Sequence, residues 1–236
     1  MSTGQMDEGL QLASRIQSTI ISNTLTIARW EQHIAECRKY HFQAAMIPPA
    51  WVKRTAEALR GTGITTASFV DFPYGTMTRK GKAYETAQLV DNGAEEVDLM
   101  PNVGFLLSGM EREYAEDIRG VVQAAGNVPV KIMLELPLLN EDQKKRAVAL
   151  SVDSGVAYLK NASGGAVGLA TPDQIVFLRR LAPPHVRVKA SGGIKTAQQV
   201  RDLVAAGADV VGTSSGAQIM GELEGTAVPS SDVAQY

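Results

Sequence analysis

Short runs rich in β-branched and apolar residues recur along the chain, each followed by a longer stretch with helical spacing and good helix formers. Eight such runs stand out: Ile20 to Asn23, Ala44 to Pro48, Thr65 to Phe72, Val97 to Asn102, Val130 to Leu136, Ala157 to Ala162, Val186 to Ala190 and Val210 to Ser214. Their starts lie about 20 to 35 residues apart, the room taken by one strand, one helix and two short loops. The pattern predicts a repeating βα unit. Most of the runs are apolar on both faces, as parallel strands covered by helices should be.

The punctuation between runs agrees. Thr196-Ala-Gln-Gln199 and Asn140-Glu-Asp-Gln143 both fit capping boxes that open helices. Gly93, Gly155 and Gly207 each follow a helical stretch and precede a strand, where a left-handed terminating residue is wanted. Eight units in 236 residues suit a closed (βα)8 barrel of the TIM type, with an open doubly wound α/β sheet as the alternative. The expected organisation is one domain over residues 1–236. Residues 1–19 should form a helical lid across the barrel bottom, and residues 225–236 a small-residue, flexible tail.

Composition removes other classes. Lys plus Arg number 23 against 25 Asp plus Glu, a net charge of −2 without a basic stripe, so neither nucleic acid nor an anionic membrane is an expected partner. No apolar run reaches the roughly 18 residues of a membrane span. One cysteine, Cys37, reads as a buried filler, and the first residues lack the pattern of a secretory signal. A cytoplasmic location is expected. His33, His41 and His185 have no ligand-like spacing, so no metal site is expected. The sequence is silent on whether copies assemble into a homo-oligomer.

In a barrel of this kind the site lies at the C-terminal ends of the strands, so ionisable residues within strand runs demand an explanation. Asp98, Lys131, Lys160 and Lys189 are such residues. A buried charge costs several kcal/mol unless paired. Lys160 ends the sixth run and Lys189 the seventh, about one strand spacing apart if both point inward. Mutual repulsion and desolvation both favour a neutral amine, the form that attacks a carbonyl to make a Schiff base. The plainer alternative is a structural network in which these lysines pair with Asp98 and Glu135.

Gly192-Gly193-Ile194-Lys195 follows the seventh run, and Gly212 leads into Ser214 and Ser215 after the eighth. Glycine loops at those two strands, backed by a helix N-terminus, are where barrels hold phosphate. Phe72-Pro73-Tyr74-Gly75 follows the third run and could place an aromatic at the mouth.

At these residues the chain resembles the deoxyribose-phosphate aldolases, a family of class I aldolases. The likeness runs from about Ile20 to Met220. It is carried by Glu96-Val-Asp-Leu-Met-Pro-Asn-Val-Gly104, Val130-Lys-Ile-Met-Leu-Glu135, Tyr158-Leu-Lys160, Val188-Lys-Ala-Ser-Gly-Gly-Ile194 and Val211-Gly-Thr-Ser-Ser-Gly216. The resemblance implies a cofactor-free, reversible cleavage of 2-deoxy-D-ribose 5-phosphate to D-glyceraldehyde 3-phosphate and acetaldehyde. By the same resemblance Lys160 forms the Schiff base, while Asp98 and Lys189 move protons. Gly164, Gly192, Gly193, Ile194, Lys195, Gly212, Ser214 and Ser215 would bind substrate phosphate, with Thr24, Phe72, Lys131 and Ser163 in support. Tyr236, on its tether, would act in proton exchange at the mouth.

The chain departs from the family at three places. After Lys160 it reads Asn161-Ala162-Ser163-Gly164-Gly165 in place of Thr-Ser-Thr-Gly and a residue often aromatic or basic. Ser22 stands where a strand-one Asp is usual, and Met46 replaces a common Cys. A related lysine aldolase with another or a nonphosphorylated aldehyde, and a catalytically silent sugar-phosphate binder, remain the alternative readings.

Overall fold

The computed structural model describes residues 9–226. Eight parallel strands close into a barrel in chain order: β1 Ile16–Thr19, β2 Ala44–Met46, β3 Thr65–Val70, β4 Glu96–Leu99, β5 Val130–Met133, β6 Tyr158–Lys160, β7 Arg187–Ser191 and β8 Val210–Thr213, with β8 pairing back to β1. Around them run α1 Ile27–Tyr40, α2 Val52–Leu59, α3 Arg79–Asp91, α4 Val103–Leu107, α5 Glu111–Ala125, α6 Glu141–Asp153, α7 Pro172–Leu181, α8 Ala197–Ala205 and α9 Gly216–Glu224. Both expected capping boxes form, at Asn140 and at Thr196. Gly93, Gly155 and Gly207 all take positive φ just past their helices.

The first strand is a correction. It occupies Ile16–Thr19, ahead of the expected Ile20 to Asn23, so it falls inside the stretch assigned to the lid; helix covers only residues 9–13 there. The adjacent pair Ile20-Ile21 makes the later segment look more strand-like. The true strand carries polar residues inward, Gln17 and Thr19, and Ile16 outward into the helical layer. Residues 1–8, with the rest of the expected lid, and residues 227–236, with Tyr236, lie outside the described residues.

Strand alternation separates two environments. Outward side chains such as Val97, Leu99, Ile132, Leu159, Val188 and Val211 pack under the helices as the main core. Inside, Ala44, Met46, Ala67 and Phe69 of β2 and β3 form a small apolar wall, against which Ile21 and Phe72 pack. Strands β4 to β7 face that wall with Glu96, Asp98, Lys131, Tyr158, Lys160 and Lys189, all buried. The barrel interior is therefore half apolar and half charged.

Candidate active site

Ladder register decides which charges meet. Asp98 pairs with Lys131, and Lys160 with Lys189, in neighbouring strands. Both Lys160 Nζ and Lys189 Nζ donate to one oxygen, Asp98 Oδ2, at 3.0 and 2.7 Å. Lys131 Nζ lies below, 3.2 Å from Asp98 Oδ1 and 2.7 Å from Glu96 Oε2. Gln17 Nε2 donates to Glu96 Oε2 at 2.7 Å, closing the lower layer. Glu135, a partner in the plainer network reading, makes no ion pair with either lysine; its Oε1 accepts from the Ser163 N–H at 2.7 Å.

The electrostatics follow from this packing. Burial alone would raise the Asp98 carboxyl, but the attraction of Lys189, Lys160 and Lys131 outweighs it and holds the group well below the usual carboxylate range. Burial pushes Lys189 down to about 7 against the pull of Asp98, with Lys160 and Lys131 adding to the downward push. Cys37 plays no part here: buried under α1, its thiol is pushed up to about 12 chiefly by desolvation.

Above the lysines opens a cavity of about 430 Å³. Phe72, Ser163, Gly164, Gly192, Gly193 and Ile194 line it, as do Lys195, Gly212, Ser214 and Ser215. A narrow recess continues downward to Asp98, Lys160 and Lys189. Gly192 and Gly193 hold φ of 122° and 65°, and a Cβ on Gly192 would stand 2.4 Å from the Gly168 carbonyl oxygen, so the backbone conformation requires glycine at both and close packing requires it at Gly192. Helix α9 starts at the cavity with no side-chain cap, whereas α7 and α8 are capped by Thr171 and Thr196. Its first-turn amides therefore remain as donors for an anion.

Gly212 has a different local task. It sits within β8, and a Cβ there would lie 3.0 Å from Lys189 Cε. Its missing side chain is the space through which Lys189 reaches Asp98.

Thr24 is not brought to the cavity; it is exposed and shares a 3.0 Å hydrogen bond with Ser22. Gly165, marked in the sequence as a departure from the family, lines the cavity, and so do Thr19, Ile21, Leu169 and Ser191, which were unanticipated from sequence. Strand parity could have found Glu96, two residues before Asp98 and facing the same way. Thr19 was reachable only with the first strand correctly placed. Leu169 carries no local signal, being an exposed leucine in a loop.

Fold and site together define a class: a (βα)8-barrel enzyme of carbonyl chemistry, with a lysine–aspartate–lysine set at the bottom of a mouth lined by glycine-loop amides. The chain belongs to the DeoC/LacD family of aldolases, whose family model matches residues 31–225. It is 38% identical over 210 residues to the deoxyribose-phosphate aldolase of Geobacillus sp., covering 89% of this chain and 94% of that one. With the deoxyribose-phosphate aldolase of Staphylococcus carnosus it shares 34% identity over 215 residues, 91% of this chain and 98% of the relative. Among solved structures it resembles the deoxyribose phosphate aldolase of Aeropyrum pernix, described as a unique tetramer, with a TM-score of 0.82, 28% identity, and coverage of 95% of this chain and 99% of that one. Among the described residues no helix is long and apolar enough to cross a membrane.

Two outcomes are expected from this geometry. Gly212→Ala should press on Lys189, shift its end by a few tenths of an ångström against Asp98, and cut aldolase turnover by roughly three- to tenfold; unchanged kcat at unchanged Tm would refute the close-approach role. The second concerns stability against pH. Lys189 is protonated in both states below about 7 and, between about 7 and 10.5, protonated only when unfolded. The unfolded chain then binds more protons, so this group makes stability rise with pH across that window, by at most about 1.4 kcal/mol per unit. Denaturant titrations of Lys189→Met should lack that rise; a slope equal to the parent's would contradict the assignment.

Proposed function

We propose that this chain is a class I aldolase that reversibly cleaves 2-deoxy-D-ribose 5-phosphate to D-glyceraldehyde 3-phosphate and acetaldehyde, with Lys160 as the Schiff-base amine. The observation that carries the reading is the convergence of two lysines on one carboxylate oxygen at the inner end of a cavity whose outer end offers glycine-loop and helix-terminal amides. The chemistry then follows in order. Neutral Lys189 takes the proton of Lys160 across Asp98 Oδ2, leaving Lys160 free to add to the C1 aldehyde. Asp98 and Lys189, with water, return a proton to the carbinolamine hydroxyl, which leaves as water and yields the iminium. Removal of the C3 hydroxyl proton sends the C2–C3 bond electrons into the iminium, releasing D-glyceraldehyde 3-phosphate and an enamine. Protonation at C2 and hydrolysis free acetaldehyde and restore the amine. Each step is an addition, an elimination or a proton transfer, so the electrons balance without a redox partner.

The phosphate end of the same reading rests on Gly192, Gly193, Ser214 and Ser215, with Lys195 a cationic side chain among the described residues at the cavity's outer end. Gly165 leaves the Gly193 amide uncovered: a Cβ there would stand 3.3 Å from the Gly193 nitrogen. A single barrel domain carries the whole reaction in this account. A cytoplasmic setting is supported by the single, buried cysteine. Assembly into a homo-oligomer is supported by the tetrameric relative.

Borohydride reduction with acetaldehyde should fix about one ethyl group on Lys160, at a rate that rises with pH through about 7 as Lys189 loses its proton. Peptide mass mapping that finds the label on Lys189 or Lys131, or no label at all, would defeat the assignment. Gly165→Ala should raise KM for the 5-phosphate by roughly three- to tenfold, the worth of one weakened hydrogen bond, and leave KM for free deoxyribose unchanged. An equal effect on both sugars would remove Gly193 from the phosphate site.

A further inference from the structure

Lys160 and Lys189 form the last rung of the β6–β7 ladder. Strand β6 ends there, while β7 continues to Ser191. Asn161 takes up the pairing with its side chain. Its Oδ1 accepts from the Ser191 N–H at 2.8 Å, and its Nδ2 donates to the Ser191 carbonyl at 3.0 Å. Nδ2 also donates to Gln174 Oε1 on α7 at 2.9 Å, and the Asn161 backbone N–H reaches the Lys189 carbonyl at 3.4 Å. The residue is wholly buried. Turning the amide over would set a donor against the Ser191 N–H and its oxygen against two acceptors, so the network fixes its orientation.

Ladder ends are where strands fray, because the last pair has neighbours on one side only. At this end fraying would have a chemical consequence. Both Nζ atoms must reach the same Asp98 oxygen, so their separation depends on how β6 and β7 lie against each other. The groups facing Lys160 from the packed elements are Asp98 on β4, Lys131 on β5, Glu135 just beyond β5 and Lys189 on β7. None of these ties β6 to β7 along the backbone. Asn161 does, one residue beyond the nucleophile.

We propose that Asn161 is a positioning residue: its side-chain amide supplies an added rung that holds Lys160 and Lys189 at the spacing needed for proton exchange across Asp98. The proposal rests on the Schiff-base reading of Lys160. Asparagine suits the task because it offers an acceptor and two donors in one plane, enough to engage both the N–H and the C=O of Ser191 as a neighbouring strand would. Loosening the rung also opens the recess to water beside Lys189, whose lowered pKa owes most to burial.

The test uses reductive trapping of acetaldehyde on Lys160 across pH, with thermal unfolding followed in parallel. Asn161→Ala should slow trapping by about tenfold or more, and its pH midpoint should move upward from near 7 towards that of an ordinary lysine. Gln174→Ala, at a half-buried position, removes only the acceptor that orients the amide, and should shift both readings the same way by less. Trapping at the parent rate, or a slower rate with an unmoved midpoint, would overturn the proposal. If Asn161→Ala does not fold, Gln174→Ala is judged by the same two readings. Failure of the unsubstituted enzyme to trap acetaldehyde on Lys160 would instead sink the Schiff-base assignment, so the two ideas fail separately.

Discussion

One buried carboxylate, Asp98, makes the rest of the interior possible. Three lysines, Lys131, Lys160 and Lys189, project into a closed barrel, and among the described residues they form ion pairs with Glu96 and Asp98 alone, while Glu135 faces Lys160 without an ion pair, its carboxyl raised by burial. Three ammonium groups against these two ion-paired carboxylates leave positive charge in excess, which the raised Glu135 carboxyl offsets little, in a medium where an uncompensated charge is costly. The structure relieves the excess by letting Lys189 approach neutrality near pH 7. A proton acceptor thus arises from burial, reinforced by the neighbouring ammonium groups, without an external base. Glu96 and Gln17 matter in the same account, because they hold Lys131 as the lower counter-charge and leave Asp98 Oδ2 to the upper pair.

The apolar half of the interior completes this arrangement. Ala44, Met46, Ala67 and Phe69 present no hydrogen-bonding groups towards the lysines, and Phe69 packs tilted against Phe72 at the mouth, their ring centroids 5.1 Å apart. Water and stray acceptors are kept from that side. The amines find their ionic partners in Asp98 and, for Lys131, Glu96, which keeps their electrostatic coupling strong.

Much of this was legible in the sequence, because a charge inside an apolar strand is anomalous and anomalies are informative. Asp98, Lys131, Lys160 and Lys189 stand out for that reason, and the two glycine clusters stand out because they follow adjacent strands. The first strand was not legible in its true place: Gln17 and Thr19 face a polar interior, which erases the apolar signature that periodicity relies on. Ile20-Ile21 then pulls the expected strand four residues too far along. Thr24, expected at the site, is exposed, and Thr19 and Ile21 line the cavity from this part of the chain. Leu169 could not be found by any local rule, since its place over Gly193 depends on how two loops meet.

Asn161 shows why a departure from a family pattern cannot be valued from sequence alone. At the mouth the strands have ended, so backbone pairing no longer fixes the loops that carry the site. Side chains take over: Glu135 holds the Ser163 amide, Thr213 Oγ1 donates to the Ile194 carbonyl and also accepts from the Ser215 N–H, and Asn161 binds both sides of Ser191. Apart from the Thr213–Ser215 bond, which stays within one loop, these stitches join the end of one strand to the loop of another. The same region must keep amides of Gly193 and the α9 terminus available to a ligand, so regular ladder pairing cannot simply be extended upward. A barrel that places charges by strand register therefore needs short polar side chains at its rim, where residue identity can change as long as the bonds made to neighbouring strands are kept.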